Sequence, residues 1–422
     1  MSRWYIPRIA SRLVALAMIA ALAACGGEET VPAPVESPQL QPLPEPAPNP
    51  VPKPSVPIAG VPLASPGTVK VALLVPLSGP NAELGKAMLD AAQLALFTTG
   101  SGRLTLVPRD TAGTADGAAK AAHSAVDDGA ALILGPLLAG EVEVVKPIAE
   151  SAHINVIAFS TATQLAGGNV FLMGFLPRDE AVREVGYAHS RGLNRFAALL
   201  PNSPYGHLIA DAMRQAATAD GASVGHVEFF DPRQPDTSTA VQHLVGAQAS
   251  LSQPGRAAPA GGGDFDALLL PEGGAQLKQI AAQVKTAGVD TSRVRLLGSG
   301  LWDDPSITGD PALYGGWFAA SPPDARRDFE SRYENAYHRP APRLASLAFD
   351  AAALAAVLAK AGGDQPFSHE AILNPSGFTG VDGLFRFTDA GLVQRGLAVL
   401  EVGPQGDTVV SPAPTNFAGP GL

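Results

Sequence analysis

From residue 69 onward, short and almost wholly apolar runs alternate with longer segments of helical periodicity. The first pair illustrates the pattern: residues 69–75 read Val-Lys-Val-Ala-Leu-Leu-Val, and residues 80–97 carry apolar side chains at helical spacing. Strands that are apolar along their whole length are buried on both faces, which is typical of parallel sheets covered by helices. The alternation therefore predicts an α/β fold.

The same pattern recurs along the chain, and about ten strands are too many for one hydrophobic core. We therefore expect two sheets and two cores. The predicted strands are 69–75, 104–108, 131–135, 156–160, 171–175, 196–200, 226–230, 267–270, 295–297 and 317–320. The predicted helices are 80–97, 114–127, 141–151, 178–190, 205–219, 236–249, 274–287, 324–337 and 343–360.

The first 24 residues have the features of a secretory signal peptide. Three arginines precede an apolar run at 13–24, which is too short to span a bilayer as a helix. The run ends in Leu-Ala-Ala before Cys25, and this sequence resembles the lipobox of bacterial lipoproteins. The resemblance implies cleavage before Cys25, acylation of its thiol and anchoring in a membrane. A secretory signal followed by a chance cysteine is the alternative.

Residues 25–67 are predicted to be a lipid-anchored linker. Residues 31–66 contain 13 prolines, which predicts a stiff polyproline-II spacer rather than a core. At about 3.1 Å per residue it could extend roughly 110 Å, and a merely tolerated disordered leader is the alternative. We also expect a flexible insertion at 249–263, a disordered tail at 411–422 and no transmembrane helix.

Charge and motif content argue against several function classes. The net charge of −10 repels nucleic acid, so we expect no nucleic-acid partner. A single cysteine permits neither an intrachain disulfide nor a cysteine-based zinc site, and no metal-binding histidine pair, nucleophile elbow or phosphate loop occurs. We expect no catalytic residue, no metal and no cofactor, and hence a binding protein rather than an enzyme.

Residues 71–95 resemble the opening of the type I periplasmic binding proteins of the leucine/isoleucine/valine-binding group. The resemblance implies two Rossmann-like lobes joined by three crossovers and closing by hinge motion. It places lobe 1 at 68–177 plus 320–384, and lobe 2 at 178–319 plus 385–410. Further matching motifs follow in order at Asp110-Thr111 with Ala118-Ala119, Gly135-Pro136, Ser160-Thr161-Ala162-Thr163, Tyr205-Gly206 and Gly380-Val381-Asp382-Gly383.

Candidate ligand-binding residues lie where predicted strands end, because open α/β sheets bind ligands at the carboxyl ends of their strands. Ser78 either contacts a ligand or caps the following helix. Glu272 either faces the cleft or caps a helix, and Tyr205 either reaches the ligand or closes the interlobe gap. Trp302 is either a cleft lid or packed between the lobes. The full candidate set is Ser78, Gly79, Asn81, Ser160, Thr161, Ala162, Thr163, Tyr205, Glu272 and Trp302.

The sequence departs from the amino-acid-binding pattern at two places. No hydroxyl follows Gly135-Pro136, and residues 298–304 place glycine or leucine where an acid normally meets the ligand ammonium, unless Asp303 substitutes. An unpaired buried ammonium is costly, so a free α-amino acid is a poor candidate ligand.

The subgroup with the greatest resemblance is the penicillin-binding-protein activator lipoproteins, which anchor in the outer membrane and stimulate a peptidoglycan synthase. We therefore expect a periplasmic, lipid-anchored regulator at the outer membrane, with a peptidoglycan synthase as partner. The alternative is an ABC-transporter substrate-binding protein for amino acids or a related small polar ligand, with an ABC permease as partner.

Overall fold

The computed structural model describes residues 68–100, 102–234, 236–246 and 265–417. The predicted signal peptide, the predicted lipidation site at Cys25, the predicted proline-rich spacer and the predicted insertion at 249–263 lie outside the described residues. None of the helices in the described part of the chain has the length and apolarity that crossing a bilayer requires.

The described residues form α-helices and β-strands that alternate through most of the chain as far as β10. The first elements are β1 (Val69–Val75), α1 (Ala82–Thr99), β2 (Leu104–Asp110), α2 (Ala115–Asp127), β3 (Leu132–Leu134), α3 (Ala139–Ser151), β4 (Asn155–Ala158) and β5 (Val170–Leu172). The next are α4 (Pro177–Ser190), β6 (Arg195–Pro201), α5 (Pro204–Ala219), β7 (Ser223–Phe230), α6 (Ser238–Gly246), β8 (Ala267–Leu269), α7 (Gly274–Thr286), β9 (Arg295–Leu297) and β10 (Trp317–Ala320). The last are α8 (Pro323–Tyr337), α9 (Ala345–Ala361), α10 (His369–Ile372), β11 (Phe378–Gly380), β12 (Gly383–Phe387), β13 (Val393–Arg395), β14 (Ala398–Glu401) and β15 (Thr408–Ser411).

The first sheet is wholly parallel, in the order β2-β1-β3-β4-β5. Alanine-rich α1 and α9 pack on one face, and α2 and α3 pack on the other. Alternate side chains of the central strands enter each layer, so the strands are buried on both faces, as their apolar sequences predict. We call this sheet with its helices the first lobe.

The second sheet has the order β15-β14-β10-β9-β8-β6-β7. Strands β6 to β10 are parallel, and β14 and β15 add an antiparallel edge. Helices α4 and α5 cover one face, and α6 and α7 cover the other. This sheet with its helices is the second lobe, and the predicted α/β fold with parallel-dominated sheets is confirmed.

A glycine lets the helix after the first strand of each lobe approach the strand end closely. A Cβ at Gly85 of α1 would lie 1.9 Å from the Pro76 carbonyl oxygen. A Cβ at Gly206 of α5 would lie 2.0 Å from the Pro201 carbonyl oxygen. Any other residue would push the helix N-terminus away from the strand end, where ligands bind in open α/β sheets.

The chain passes between the two sheets three times, between β5 and α4, between β10 and α8, and between β13 and β14. The last passage differs from the expected one at residue 385. Strands β12 and β13 pair with β11 in a small antiparallel sheet, and Phe385, Phe387 and Val393 pack in the core of the first lobe. The chain rejoins the second sheet only at Ala398, because these apolar side chains are buried in the first lobe.

The segment after residue 410 is more ordered than the expected tail. Ser411 ends β15, and its hydroxyl accepts a hydrogen bond from Arg183 at 2.7 Å. The ring of Phe417 lies under the Arg386 guanidinium, 4.3 Å from its centre. The predicted tail is therefore wrong for residues 411–417, and residues 418–422 lie outside the described residues.

Candidate functional site

The loop after β1 is held by one carboxylate. Asp110 Oδ1, at the end of β2, accepts hydrogen bonds from the amides of Leu77 (2.8 Å), Ser78 (3.1 Å) and Ala112 (2.8 Å). Burial alone would raise the pKa of Asp110, but the bonds from the Ser78 side chain and these amides lower it. The exposed Ser78 is therefore anchored at the carboxyl end of the first sheet and does not cap α1.

Helix α1 begins without a side-chain cap. Asn81 occupies the position before Ala82, but its side chain accepts no hydrogen bond from the first turn. Gly79 has φ of 78°, and a Cβ there would lie 2.6 Å from the Ala112 carbonyl oxygen. This loop can therefore turn tightly against its neighbour only with glycine at this position.

The loop formed by residues 160–163 follows β4, which is two strands from β1 in the same sheet. Ser160 is buried, and its Oγ accepts a hydrogen bond from the Ala162 amide at 3.2 Å. Thr161 is exposed, and Thr163 begins a short 3-10 turn. Because parallel strands end at the same edge, this loop and the loop of Ser78 lie at one edge of the first sheet.

In the second lobe, residues 298–300 after β9 are bonded one after another to neighbouring helices. Two of the partners are Glu180 and Glu184 of α4, and the third is Tyr205 of α5. The bonds join the Gly298 amide to Glu184 Oε1 (3.0 Å), the Tyr205 hydroxyl to Ser299 Oγ (3.2 Å) and the Gly300 amide to Glu180 Oε2 (2.9 Å). The loop at the end of β9 is thus fixed between two helices.

The two glutamates and the tyrosine bonded to this loop have shifted pKa values. Burial raises the pKa of Glu180 to about 7, despite the opposing hydrogen bond from Gly300. Burial also raises the pKa of Glu184 well above its ordinary value, and the charge of Glu180 raises it further. Burial raises the pKa of Tyr205, and the charges of Glu180, Glu272 and Glu184 add to that effect. Strongly perturbed groups at a strand-end opening are typical of functional sites.

Glu272 lies at the end of β8, beside the same loop. It is half-buried, and burial raises its pKa. A Cβ at Gly273 would lie 3.1 Å from the Leu301 carbonyl oxygen, so the loops after β8 and β9 touch. Leu301 is 48% exposed, although it is a large apolar residue. The second-lobe edge therefore presents acids around one exposed leucine.

Trp302 does not line an opening. It is only 1% exposed, and its indole Nε1 donates a hydrogen bond to the Leu270 carbonyl oxygen at 3.0 Å. A Cβ at Gly298 would lie 2.1 Å from the indole, so glycine provides the room for it. The ring packs in the core beside α6 and α7, which contradicts both a cleft lid and a position between the lobes. The adjacent Asp303 forms an ion pair with Arg326 of α8.

One arginine contacts two of the three passages between the sheets and the turn between β11 and β12. Arg343 donates to Asp382 Oδ1 at 2.8 Å and to Ser321 Oγ at 3.1 Å. Its guanidinium lies 3.7 Å from the centre of the Phe175 ring, and Arg395 lies over the same ring at 4.9 Å. Phe175, Ser321 and Asp382 belong to different segments near the passages. This arginine therefore lies where lobe movement must be accommodated.

The structure brings together two groups of the predicted site residues. Ser78, Gly79 and the loop 160–163 lie at the carboxyl edge of the first sheet, whereas Tyr205 and Glu272 lie at the edge of the second lobe. Sequence reasoning did not select Glu180, Glu184 or Ser299. The available signal was a pair of acids four residues apart in the helix that follows the first passage between sheets.

A family model described as periplasmic binding protein matches residues 68–407. The chain belongs to this periplasmic binding protein family. The family is one of binding proteins, and membership implies a periplasmic location. The predicted likeness to the leucine/isoleucine/valine-binding group is confirmed by the family model and by solved structures of that type.

Solved structures of other periplasmic binding proteins share the fold. The chain is 19% identical to an ABC transporter substrate-binding protein from Sphaerobacter thermophilus, with a TM-score of 0.65, covering 82% of this chain and 98% of that one. It is also 19% identical to a branched-chain amino acid substrate-binding protein from Streptococcus pneumoniae, solved in complex with isoleucine. That match has a TM-score of 0.55 and covers 82% of this chain and 100% of the other.

Among curated proteins, the chain is 25% identical over 176 residues to an uncharacterized protein of Rickettsia prowazekii. The match covers 42% of this chain and 47% of the relative, so it spans about half the length of that protein.

Proposed function

We propose that this periplasmic binding protein is a lipid-anchored receptor that binds a small polar solute and delivers it to an ABC permease. The observation that carries the proposal is the arrangement of strand ends. Polar groups follow β1 and β4 in one lobe and β8 and β9 in the other, and three passages of the chain connect the lobes. Open α/β sheets bind ligands at such edges.

The proposal includes a membrane anchor at Cys25. The anchor rests on the lipobox-like sequence alone, since Cys25 lies outside the described residues. Acylation at Cys25, followed by a proline-rich spacer, would keep the receptor near a membrane while leaving its folded part free to move. The proposal includes the outer membrane as the site of this anchor.

A second candidate function is that of a penicillin-binding-protein activator, which would contact a peptidoglycan synthase at the outer membrane. The observation that favours it is the loss of amino-acid-binding features. Leu301 is exposed at the position where an acid would meet a ligand ammonium, and Asp303 already forms an ion pair with Arg326. The solved structures that share the fold are substrate-binding proteins of ABC transporters, and this supports the receptor function more strongly.

A thermal-shift screen of the full chain against polar solutes tests the receptor proposal. A ligand present at a hundred times its dissociation constant stabilises the folded state by about 2.7 kcal/mol. We expect at least one solute class to raise the midpoint in a saturable manner. A lack of any stabilising solute, together with co-purification of a peptidoglycan synthase, would support the activator instead.

A further inference from the structure

The edge of the second lobe contains hydrogen-bond acceptors that are not all used in bonds to the loop after β9. The loops after β8 and β9 are joined by the bond from Trp302 to the Leu270 carbonyl oxygen, which places Glu272 beside the loop that bonds to α4 and α5. We call the group formed by these residues the acidic recess. Its members are Glu180, Glu184, Tyr205, Glu272 and Ser299.

The carboxylates of the recess lack cationic partners. Glu184 is fully buried, its Oε1 accepts only the Gly298 amide, and its Oε2 has no hydrogen-bond partner. Within the described ranges, no lysine or arginine forms an ion pair with Glu180, Glu184 or Glu272. Burial without a cationic partner disfavours the charged form of Glu184, which raises its pKa, and its Oε2 is left without a hydrogen-bond partner.

The surrounding charges do not neutralise the recess. Arg343 and Arg395 act on Glu180 through space, but Arg343 donates to Asp382 and Ser321. Arg395 donates to the Met173 carbonyl oxygen instead. On α4, Asp179 adds a further acid beside Arg178, and burial raises its pKa to about 6. The recess is therefore a group of acids that have no ion-pair partner of their own.

We propose that the acidic recess binds the ammonium group of an organic cation, which is the solute class of this receptor. The inference rests on the proposed function. An ammonium supplies three N–H donors, which match carboxylate and hydroxyl acceptors. Across the described residues, no group of three acids, histidines or cysteines is close enough to hold a metal ion, so the spread of the carboxylates suits a larger cation. An anionic solute would be repelled.

Calorimetric titration of the full chain tests this inference with three cations, namely putrescine, choline and agmatine. Isoleucine and benzoate serve as zwitterionic and anionic probes. We expect a cation to bind, and binding to weaken at least about tenfold in both Glu180→Gln and Glu272→Gln. Glu150→Gln is the matched control, because Glu150 is exposed at the C-terminal end of α3 and should leave affinity unchanged.

The remaining outcomes separate the two proposals. Binding of isoleucine or benzoate without any cation would overturn the ammonium inference but keep the receptor function. Cation binding that neither variant weakens would also overturn the inference. Binding by none of the five probes would overturn the inference, and the wider solute screen would then decide the receptor function. Glu272 is only half-buried, so its variant keeps the test informative if Glu180→Gln unfolds.

Discussion

At the scale of single residues, Asp350 makes the stability of the first lobe depend on pH. It is buried in α9 and accepts hydrogen bonds from the amides of Val381 (2.7 Å) and Asp382 (3.4 Å). Burial and the nearby charge of Asp382 raise the pKa of Asp350 above its ordinary value of 3.8. The folded chain therefore holds a proton that the unfolded chain loses as the pH rises above about 4.

The stabilisation from protonated Asp350 is present at low pH and is lost as the pH rises above about 4. We expect Asp350→Asn to flatten the fall in unfolding free energy between about pH 4 and 7, as measured by urea unfolding. Asp324→Asn should leave the slope unchanged, because the Asp324 side chain is 90% exposed. An identical slope in Asp350→Asn and the unmodified chain would contradict this account.

Substitution of Trp302 tests whether its side chain packs in the core or contacts a ligand in the cleft. Because the indole is buried in the second lobe, Trp302→Ala should lower the unfolding free energy by about 3–5 kcal/mol. Leu301→Ala, next to it and half exposed, should change stability by no more than about 0.5 kcal/mol. Denaturant unfolding measures both. Unchanged stability of Trp302→Ala with lost ligand affinity would restore the lid interpretation.

The candidate site could be predicted from sequence only where a residue follows a recognisable strand. Ser78, Ser160 and Glu272 were selected for this reason. Glu180 and Glu184 follow no strand, because both lie within helix α4. Their role depends on the amides of residues 298 and 300, more than a hundred residues away, and no local pattern reveals that pairing.

At the scale of elements, the apolar runs predicted the parallel strands β1 to β10, because both faces of such strands are buried. The five strands after residue 377 were missed. Strand β12 alternates between buried and half-buried residues, and β15 is mostly exposed, so neither forms a continuous apolar run. Antiparallel edge strands need only one buried face, which gives a weaker sequence signal.

Arg343 provides a test at the scale of elements, because it contacts two of the passages between the sheets and the turn between β11 and β12. Arg343→Ala leaves the buried Asp382 without its cation, and we expect a loss of about 2–3 kcal/mol in unfolding free energy. The control Arg327→Ala, on the exposed side of α8, should have little effect. If Asp382→Asn does not recover part of the loss in the double variant, the ion pair is not the cause.

At the scale of the whole molecule, the proposed lipid anchor at Cys25 predicts where the protein is found in the cell. We expect the unmodified protein in the membrane fraction and Cys25→Ser in the soluble periplasmic fraction, because serine offers no thiol for acylation. Gly27→Ala keeps the thiol and should remain with the membrane. Recovery of the cysteine and serine forms in one fraction would contradict lipidation.

The proposed receptor function requires that the two lobes, with their polar strand ends, bind a small solute. Native mass spectrometry of the protein purified from its own periplasm measures this directly. The account predicts a mass excess of one small molecule that disappears on denaturation. A native mass equal to that of the bare lipidated chain, unchanged after addition of the organic cations, isoleucine and benzoate, would contradict it.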